Sequence, residues 1–277
     1  MNAQHASCPP FLRWAGSKRK LIPELSSYFP SGARRYVEPF AGSACLFFHL
    51  RPESALLADL NSDLINAYRI VQSDVEFLIH HIHRLPIGER HYYRIRALDP
   101  VQLSPVEQAA RFIYLNRYCF NGLYRTNREG QFNVPYGDSR ATEHINEQRL
   151  RRASSILQDV QLVSGDFSAT LQMTLKGDFV YLDPPYRVSH RRTFSEYQAT
   201  EFSIEDLERL QRELMVLDER GVSFLVSYAA SPEARLLTKR WRWQPVETRR
   251  SIAGFCGSRG TAHEVLVTNL PERGNYG

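Results

Sequence analysis

Short apolar, β-branched or aromatic runs punctuate both ends of the chain, at Arg35–Glu38, Ala55–Ala58, Val160–Val163, Phe179–Leu182, Val222–Ser227 and Glu264–Thr268. Runs of this length predict buried strands. Between them apolar residues recur with helical period over Ala44–Leu50, Ser62–Val71, Glu107–Asn116, Glu147–Leu157 and Ile204–Glu219. Ser203 followed by Asp206 reads as an N-cap with an acidic first turn, and Gly221 as the stop. Strands alternating with helices predict an α/β sheet. The middle of the chain differs. From about Val75 to Arg152 the pattern is helical, rich in His, Tyr and Arg, with little strand signal. This divides a discontinuous sheet core, 1–75 with 153–277, from a helical insert, 76–152. Near the end, Arg240-Trp241-Arg242-Trp243 alternates with period two, which predicts a strand whose tryptophans both face the core. Ile252 to Ala262, rich in Gly and Ser and carrying Arg259 after Arg249 and Arg250, reads either as a flap facing DNA or as a hairpin connection.

Composition narrows the class. With 277 residues, 43% hydrophobic and 23% charged, the chain is neither disordered nor a disulfide scaffold. No apolar run approaches the ~18 residues of a membrane helix, and Met1–Pro10 lacks a signal-peptide pattern. The four cysteines, Cys8, Cys45, Cys119 and Cys256, have no zinc-ligand or redox spacing, so reduced thiols in a cytoplasmic protein are expected. His80, His81, His83 and His91 invite a metal reading, but no Cys or acid completes a four-ligand set, and no metal is expected. Thirty-five basic residues stand against 30 acidic ones, and only four of the basic residues are lysine. Arginine suits bidentate contact with phosphate and guanine edges. Eight arginines face five acids between Pro105 and Ser155, and others crowd at Arg187, Arg191, Arg192 and from Arg235 to Arg250. An anionic polymer is the favoured partner.

The sharpest chemical feature is Asp183-Pro184-Pro185-Tyr186, directly after the run Phe179–Leu182. Ligands of open α/β sheets gather beyond the carboxyl ends of strands. Consecutive prolines hold the Asp183 carboxylate and the neighbouring carbonyls in fixed geometry. An exocyclic amino group on a base is a poor nucleophile, because its lone pair is delocalised into the ring. Asp183 and the Pro184 carbonyl can each take one amino hydrogen, and the carboxylate also opposes the positive charge that develops on nitrogen. Tyr186 offers a ring on which an extruded base can stack. The plainer reading is a proline-rich turn. Upstream, Tyr36-Val37-Glu38-Pro39-Phe40-Ala41-Gly42 runs from a strand into a glycine turn, and Asp59 follows 17 residues after Gly42, where an acid binds ribose hydroxyls in nucleoside-cofactor folds. One of three fingerprint glycines is present, which disfavours NAD and leaves a smaller adenosyl cofactor. Gly16-Ser17-Lys18 lacks the first glycine of a phosphate loop and a preceding strand, so ATP is rejected.

Together these segments resemble the Dam family of DNA adenine-N6 methyltransferases. The resemblance implies a Rossmann-like methyltransferase sheet flanked by helices with an inserted helical DNA-recognition domain, S-adenosyl-L-methionine as cofactor, and duplex DNA as partner. Trp14, Lys18, Glu38, Pro39, Phe40, Gly42 and Asp59 match the family's cofactor positions, with Lys18 near the methionine carboxylate and Asp59 on the ribose. Asp166 and Phe167 match a segment lying against the cofactor adenine, and Asp183 to Tyr186 match the catalytic motif. Asn116 to Asn127, continuing through Phe132 to Gly137, is similar to the family's DNA-reading hairpin. The resemblance thereby assigns DNA contacts to Arg13, Arg117, Phe120, Asn121, Leu123, Arg125, Asn127, Asn133 and Pro135, with Arg125 reading guanine and Phe120 wedging into the stack. It also implies a GATC-like target. Two departures stand out: Ala44 replaces a second glycine common in the family, and Ser227-Tyr228 replaces a Ser-Asn pair of some members. Cytosine-N4 methylation, and a DNA-binding regulator without turnover, remain alternatives to adenine-N6 transfer.

Overall fold

The computed structural model describes residues 8–137, 145–186, 202–249 and 261–272. Seven strands form one sheet in the order β3-β2-β1-β4-β5-β7-β6: β1 (Tyr36–Glu38), β2 (Ala55–Asp59), β3 (Val160–Ser164), β4 (Phe179–Leu182), β5 (Ser223–Ala229), β6 (Arg242–Arg249) and β7 (Thr261–Thr268). Strands β1 to β5 pair in parallel, while β7 runs antiparallel to both β5 and β6. The central strands read as unbroken apolar runs because helices cover both faces. Alternate residues serve opposite layers: Tyr36, Leu57, Phe179, Tyr181 and Leu225 enter one core, and Val37, Leu56, Val180, Leu182 and Phe224 the other.

The first layer is built by α1 (Ile22–Ser26), α2 (Cys45–Leu50), α3 (Ser62–Ser73), α4 (Val75–His83), α6 (Pro105–Tyr118) and α7 (Glu147–Leu157); α5 (Glu89–Arg96) lies beside α6. The second layer holds α8 (Phe167–Gln172), α9 (Ile204–Glu219) and α10 (Arg235–Thr238). Helix α9 shows why such segments form: Ser203 and Asp206 close a reciprocal capping box, Leu207, Leu210, Leu214 and Leu217 make one buried stripe, and Gly221 at φ +69° ends the run. Ser104 and Glu107 cap α6 in the same way, with Pro105 in its first turn.

The helices of the central stretch do not sit apart. Leu78, Ile82, Ala109 and Phe112 share one core with Tyr36 and Leu57 of the sheet, while Tyr92, Tyr114, Tyr118 and Val134 form a satellite core of their own. The period-two reading of the tryptophans needs correction. Trp241 is buried against Phe224, ring centroids 5.2 Å apart, and donates to Asp218 at 3.0 Å. Trp243 is 49% exposed. Strand β6 begins only at Arg242, so the two indoles do not share a strand face, and β6 is the sheet's edge. Arg187, Arg191, Arg192, Arg250, Arg259 and Cys256 lie outside the described residues, as does 252–260 of the expected flap. Strands β6 and β7 flank that segment as antiparallel neighbours, with Arg249 paired to Thr261. Among the described residues, no helix is long and apolar enough to cross a membrane, and no three His, Cys, Asp or Glu side chains could hold a metal ion.

The foot of β4 is fixed electrostatically. Asp178, fully buried, accepts from the Leu175 N–H at 3.0 Å, from Arg35 at 2.8 Å and from Arg34 at 3.3 Å. Breaking a buried ion pair leaves its partners desolvated and unanswered. Asp178→Ala should cost about 3 kcal/mol, measured as a lowered urea midpoint at unchanged slope.

Candidate active site

The strand order reverses between β1 and β4, so the crevice of this sheet opens above their carboxyl ends. Both chemical motifs stand there: β1 runs out at Glu38 into the glycine turn, and β4 at Leu182 into Asp183-Pro184-Pro185-Tyr186.

The glycine turn needs its glycine. Gly42 has φ +47°, and a Cβ there would meet the Trp14 indole at 2.7 Å. Its N–H donates to Asp59 Oδ2 at 3.0 Å, its carbonyl accepts from the Tyr68 hydroxyl at 2.9 Å, and the Asn61 N–H donates to Asp59 Oδ1 at 2.9 Å. Burial raises the Asp59 carboxyl's pKa against the lowering pull of these backbone donors. Ala44, in place of the family's second glycine, also sits in the left-handed region at φ +49°, with its methyl buried. The departure seen in the sequence is therefore a point of backbone strain. Glu38 is 3% exposed and accepts from the Tyr36 hydroxyl at 2.8 Å. Burial drives its pKa well up, opposed by the Tyr36 hydrogen bond and reinforced by the carboxylates of Asp183 and Asp59.

The segment Trp14 to Lys18 straps across this turn and reaches the other lip. Lys18 Nζ lies 2.8 Å from Asp183 Oδ1 and 3.0 Å from Oδ2, donates to the Gly16 carbonyl at 3.0 Å, and stands 3.9 Å from Glu264. Its side chain is only 5% exposed, that of Asp183 21%. Burial pulls the Lys18 pKa down, but the charges of Asp183 and Glu264 outweigh it and the net shift is upward. The ammonium is thus engaged with Asp183, where the resemblance placed it beside a methionine carboxylate. Asp183 keeps part of its surface open to the crevice. Ser227, fully buried within β5 toward its carboxyl end, donates to Asp183 Oδ1 at 3.0 Å. Tyr186 is half-buried, edge-on to Tyr228 at 5.4 Å, with Lys18 Nζ 4.9 Å from its ring centroid. Pro184 is buried and Pro185 exposed.

Beyond β3, Asp166 caps α8 and is gripped by Arg209 at 2.9 and 3.1 Å. Phe167 lies 5.3 Å from Phe40 and 6.0 Å from Phe202, with the Arg209 guanidinium 4.4 Å from its ring centroid. Pro39 follows Glu38 at the same lip. Facing the crevice from the helical side, the hairpin closes through Asn127 N–H to Gln131 and Asn133 N–H to Arg125. Asn133 orients Arg125, its Oδ1 accepting from Nε at 2.7 Å. Asn127 commits its side chain to its own turn, accepting from the Glu129 and Gln131 N–H groups. Phe120 is 41% exposed, Asn121 stands beside it at φ +54°, and the Phe120 N–H donates to the Pro135 carbonyl at 2.9 Å. Leu123 and Arg117 are half-buried. Arg13 is tied to this unit by a reciprocal pair, its N–H to Asn116 Oδ1 at 2.9 Å and Asn116 Nδ2 to its carbonyl at 2.7 Å. Trp14 stacks on Tyr124 of the hairpin at 5.9 Å.

The sequence reading noted Ser227 only as part of a departure from the family and gave it no role, and it missed Glu264, Arg209 and the role of Asn116. For Ser227 a signal was available, because the strand-tip rule applies to β5 as it does to β4.

A doubly wound sheet with a nucleoside-type glycine turn facing a rigid Asp-Pro-Pro-Tyr corner defines a methyltransferase-class α/β protein. Residues 14–252 match the family described as D12 class N6 adenine-specific DNA methyltransferase, and the chain belongs to that family. A type II methyltransferase of Lactococcus lactis subsp. cremoris, M1.LlaDCHI, is 37% identical over 94% of this chain and 95% of its own length. The DNA adenine methylase of Haemophilus influenzae is 32% identical, covering 93% and 92%. That of Escherichia coli K12 is 31% identical, covering 94% and 95%. The chain is an adenine-specific DNA methyltransferase, which decides against cytosine N4 and against a regulator without turnover.

Two outcomes test the turn. Gly42→Ala should lose about 2 kcal/mol from the backbone conformation alone and more from the Trp14 clash, read by thermal melting. A Glu with a raised folded pKa contributes stability below its unfolded value that is lost as pH rises. Glu38→Gln should therefore gain on the wild type as pH climbs from about 5.5 to about 8.5, in urea melts at each pH.

Proposed function

We propose that this enzyme transfers a methyl group from S-adenosyl-L-methionine to N6 of an adenine flipped out of duplex DNA, within a guanine-containing, GATC-like site. The observation that carries this reading is the juxtaposition of the Gly42 turn and Asp183 across the β1/β4 crevice.

The residues suit that cofactor. The Gly42 turn has no room for a side chain, Asp59 stands beside it at ribose position, and Phe40, Phe167 and Phe202 form an aromatic cluster beside which the buried Ser168 hydroxyl has no partner among the described residues. When bound, S-adenosyl-L-methionine supplies an electrophilic sulfonium methyl. Trp14, Glu38, Pro39 and Gly42 shape its site, and Asp166 and Phe167 border its adenine.

Asp183 and the Pro184 carbonyl take the two amino hydrogens of the target base and turn its nitrogen lone pair toward the methyl. Lys18 holds the carboxylate in place. Tyr186 stacks on the base, and Phe120 fills the gap it leaves, which offsets the few kcal/mol of extrusion. The methylated nitrogen is acidic enough to release its proton without a strong dedicated base. Arg125, aimed by Asn133, retains Nη1 and part of Nη2 for a guanine edge. Residues 76–152 act as the recognition insert, with Arg13, Arg117, Asn121, Leu123, Asn127 and Pro135 completing the DNA surface.

Asp183→Ala should reduce methyl transfer below a few per cent, and should also lower the melting temperature because the buried Lys18 ammonium loses its nearest counter-charge, with N6-methyladenine scored by nucleoside mass spectrometry at a temperature where the variant is folded. Activity well above that level overturns the role given to the carboxylate. Arg125→Ala should lose about 1–3 kcal/mol of discrimination at one guanine. A uniform weakening across all sequences would make it a phosphate contact. Sequencing of methylated bases in expressing cells gives the site itself.

A further inference from the structure

Asp183 has more partners than its reaction requires, and they are unevenly divided between its two oxygens. Oδ1 takes both the Lys18 ammonium at 2.8 Å and the Ser227 hydroxyl at 3.0 Å, while Oδ2, among the described residues, takes only Lys18 at 3.0 Å. A carboxylate oxygen accepts about two hydrogen bonds. Oδ1 is therefore filled, and Oδ2 keeps one acceptor direction. Behind Ser227 stands Tyr181, whose hydroxyl lies 3.0 Å from the Ser227 oxygen. A serine hydroxyl has one proton, and an ionised carboxylate can only accept. Ser227 must donate to Asp183, so Tyr181 must donate to Ser227. Both residues are essentially inaccessible to water, and in such surroundings an unanswered hydroxyl is costly, which fixes the direction of the chain.

We infer that Tyr181 and Ser227 form a directed hydroxyl chain that fills Asp183 Oδ1 and so assigns Oδ2 to the amino group of the target adenine. Both are positioning residues. Neither touches the base; they set which oxygen does and at what angle. The arrangement follows from the parallel pairing of β4 with β5, in which Tyr181 stands opposite Leu225 and Ser227 lies two residues further along β5. The inference rests on Asp183 being the acceptor of the amino hydrogen.

The test is a double-mutant cycle on the full-length enzyme, read as single-turnover methyl transfer to duplex DNA, with DNA and cofactor dissociation constants measured in parallel. A hydrogen bond to a charged group corresponds to about tenfold in rate. Ser227→Ala should slow transfer about tenfold with both dissociation constants within about twofold of wild type. Tyr181→Phe should slow it about threefold, and the double variant should match Ser227→Ala, because Tyr181 acts only through Ser227. A rate within about twofold of wild type for either single variant overturns the inference, as does a Tyr181→Phe effect that persists in full in the Ser227→Ala background. Asp183→Ala separates the two levels. If it stays active, the acceptor role of Asp183 fails and the inference falls with it. If it is inactive while Ser227→Ala transfers normally, only the hydroxyl chain is wrong.

Discussion

A charge removed from water must be answered by another charge, and in this protein that demand joins three distant parts of the chain. Lys18 is nearly inaccessible, so its ammonium is held by Asp183, with Glu264 behind it. To reach them, the strap from Trp14 must cross the Gly42 turn, which is why that turn admits no side chain. The pair contributes little net stability once desolvation is counted. Its effect is on position: it registers the N-terminal strap, the tip of β4 and the antiparallel strand β7 against one another.

Around that pair the fold does what doubly wound sheets do, placing ligands where the strand order reverses. The less ordinary feature is the number of groups that hold the site without entering it. Asp178 anchors the foot of β4, Tyr68 braces the carbonyl of Gly42, and Asn133 aims Arg125. Arg209 fixes Asp166 at the start of α8. Each commits a hydrogen bond to geometry, as catalysis by positioning requires.

The parts legible in the sequence were those whose cause is local. The run Phe179–Leu182 became β4 with the same ends, Glu147–Leu157 became α7, and the cap before Ile204 formed as a closed box. The tryptophan pair was misread because period two says nothing about where a strand begins or which strand lies at an edge; Trp243 ended exposed. The partnership of Lys18 with Asp183 spans 165 residues, and that of Asn116 with Arg13 spans 103. No window along the chain contains such information. The two motifs were legible one by one, but not the contact between them.

The Trp14 indole is a party wall. One side closes the turn at Gly42 and the other stacks on Tyr124 of the hairpin. Tyr124 in turn packs against Phe112 and Phe132, so one continuous run of aromatic contacts leads from the turn to the hairpin. Thermodynamic reciprocity requires that whatever free energy passes in that direction also passes back. To that extent, events at the turn and events at the hairpin are a single coupled equilibrium rather than two.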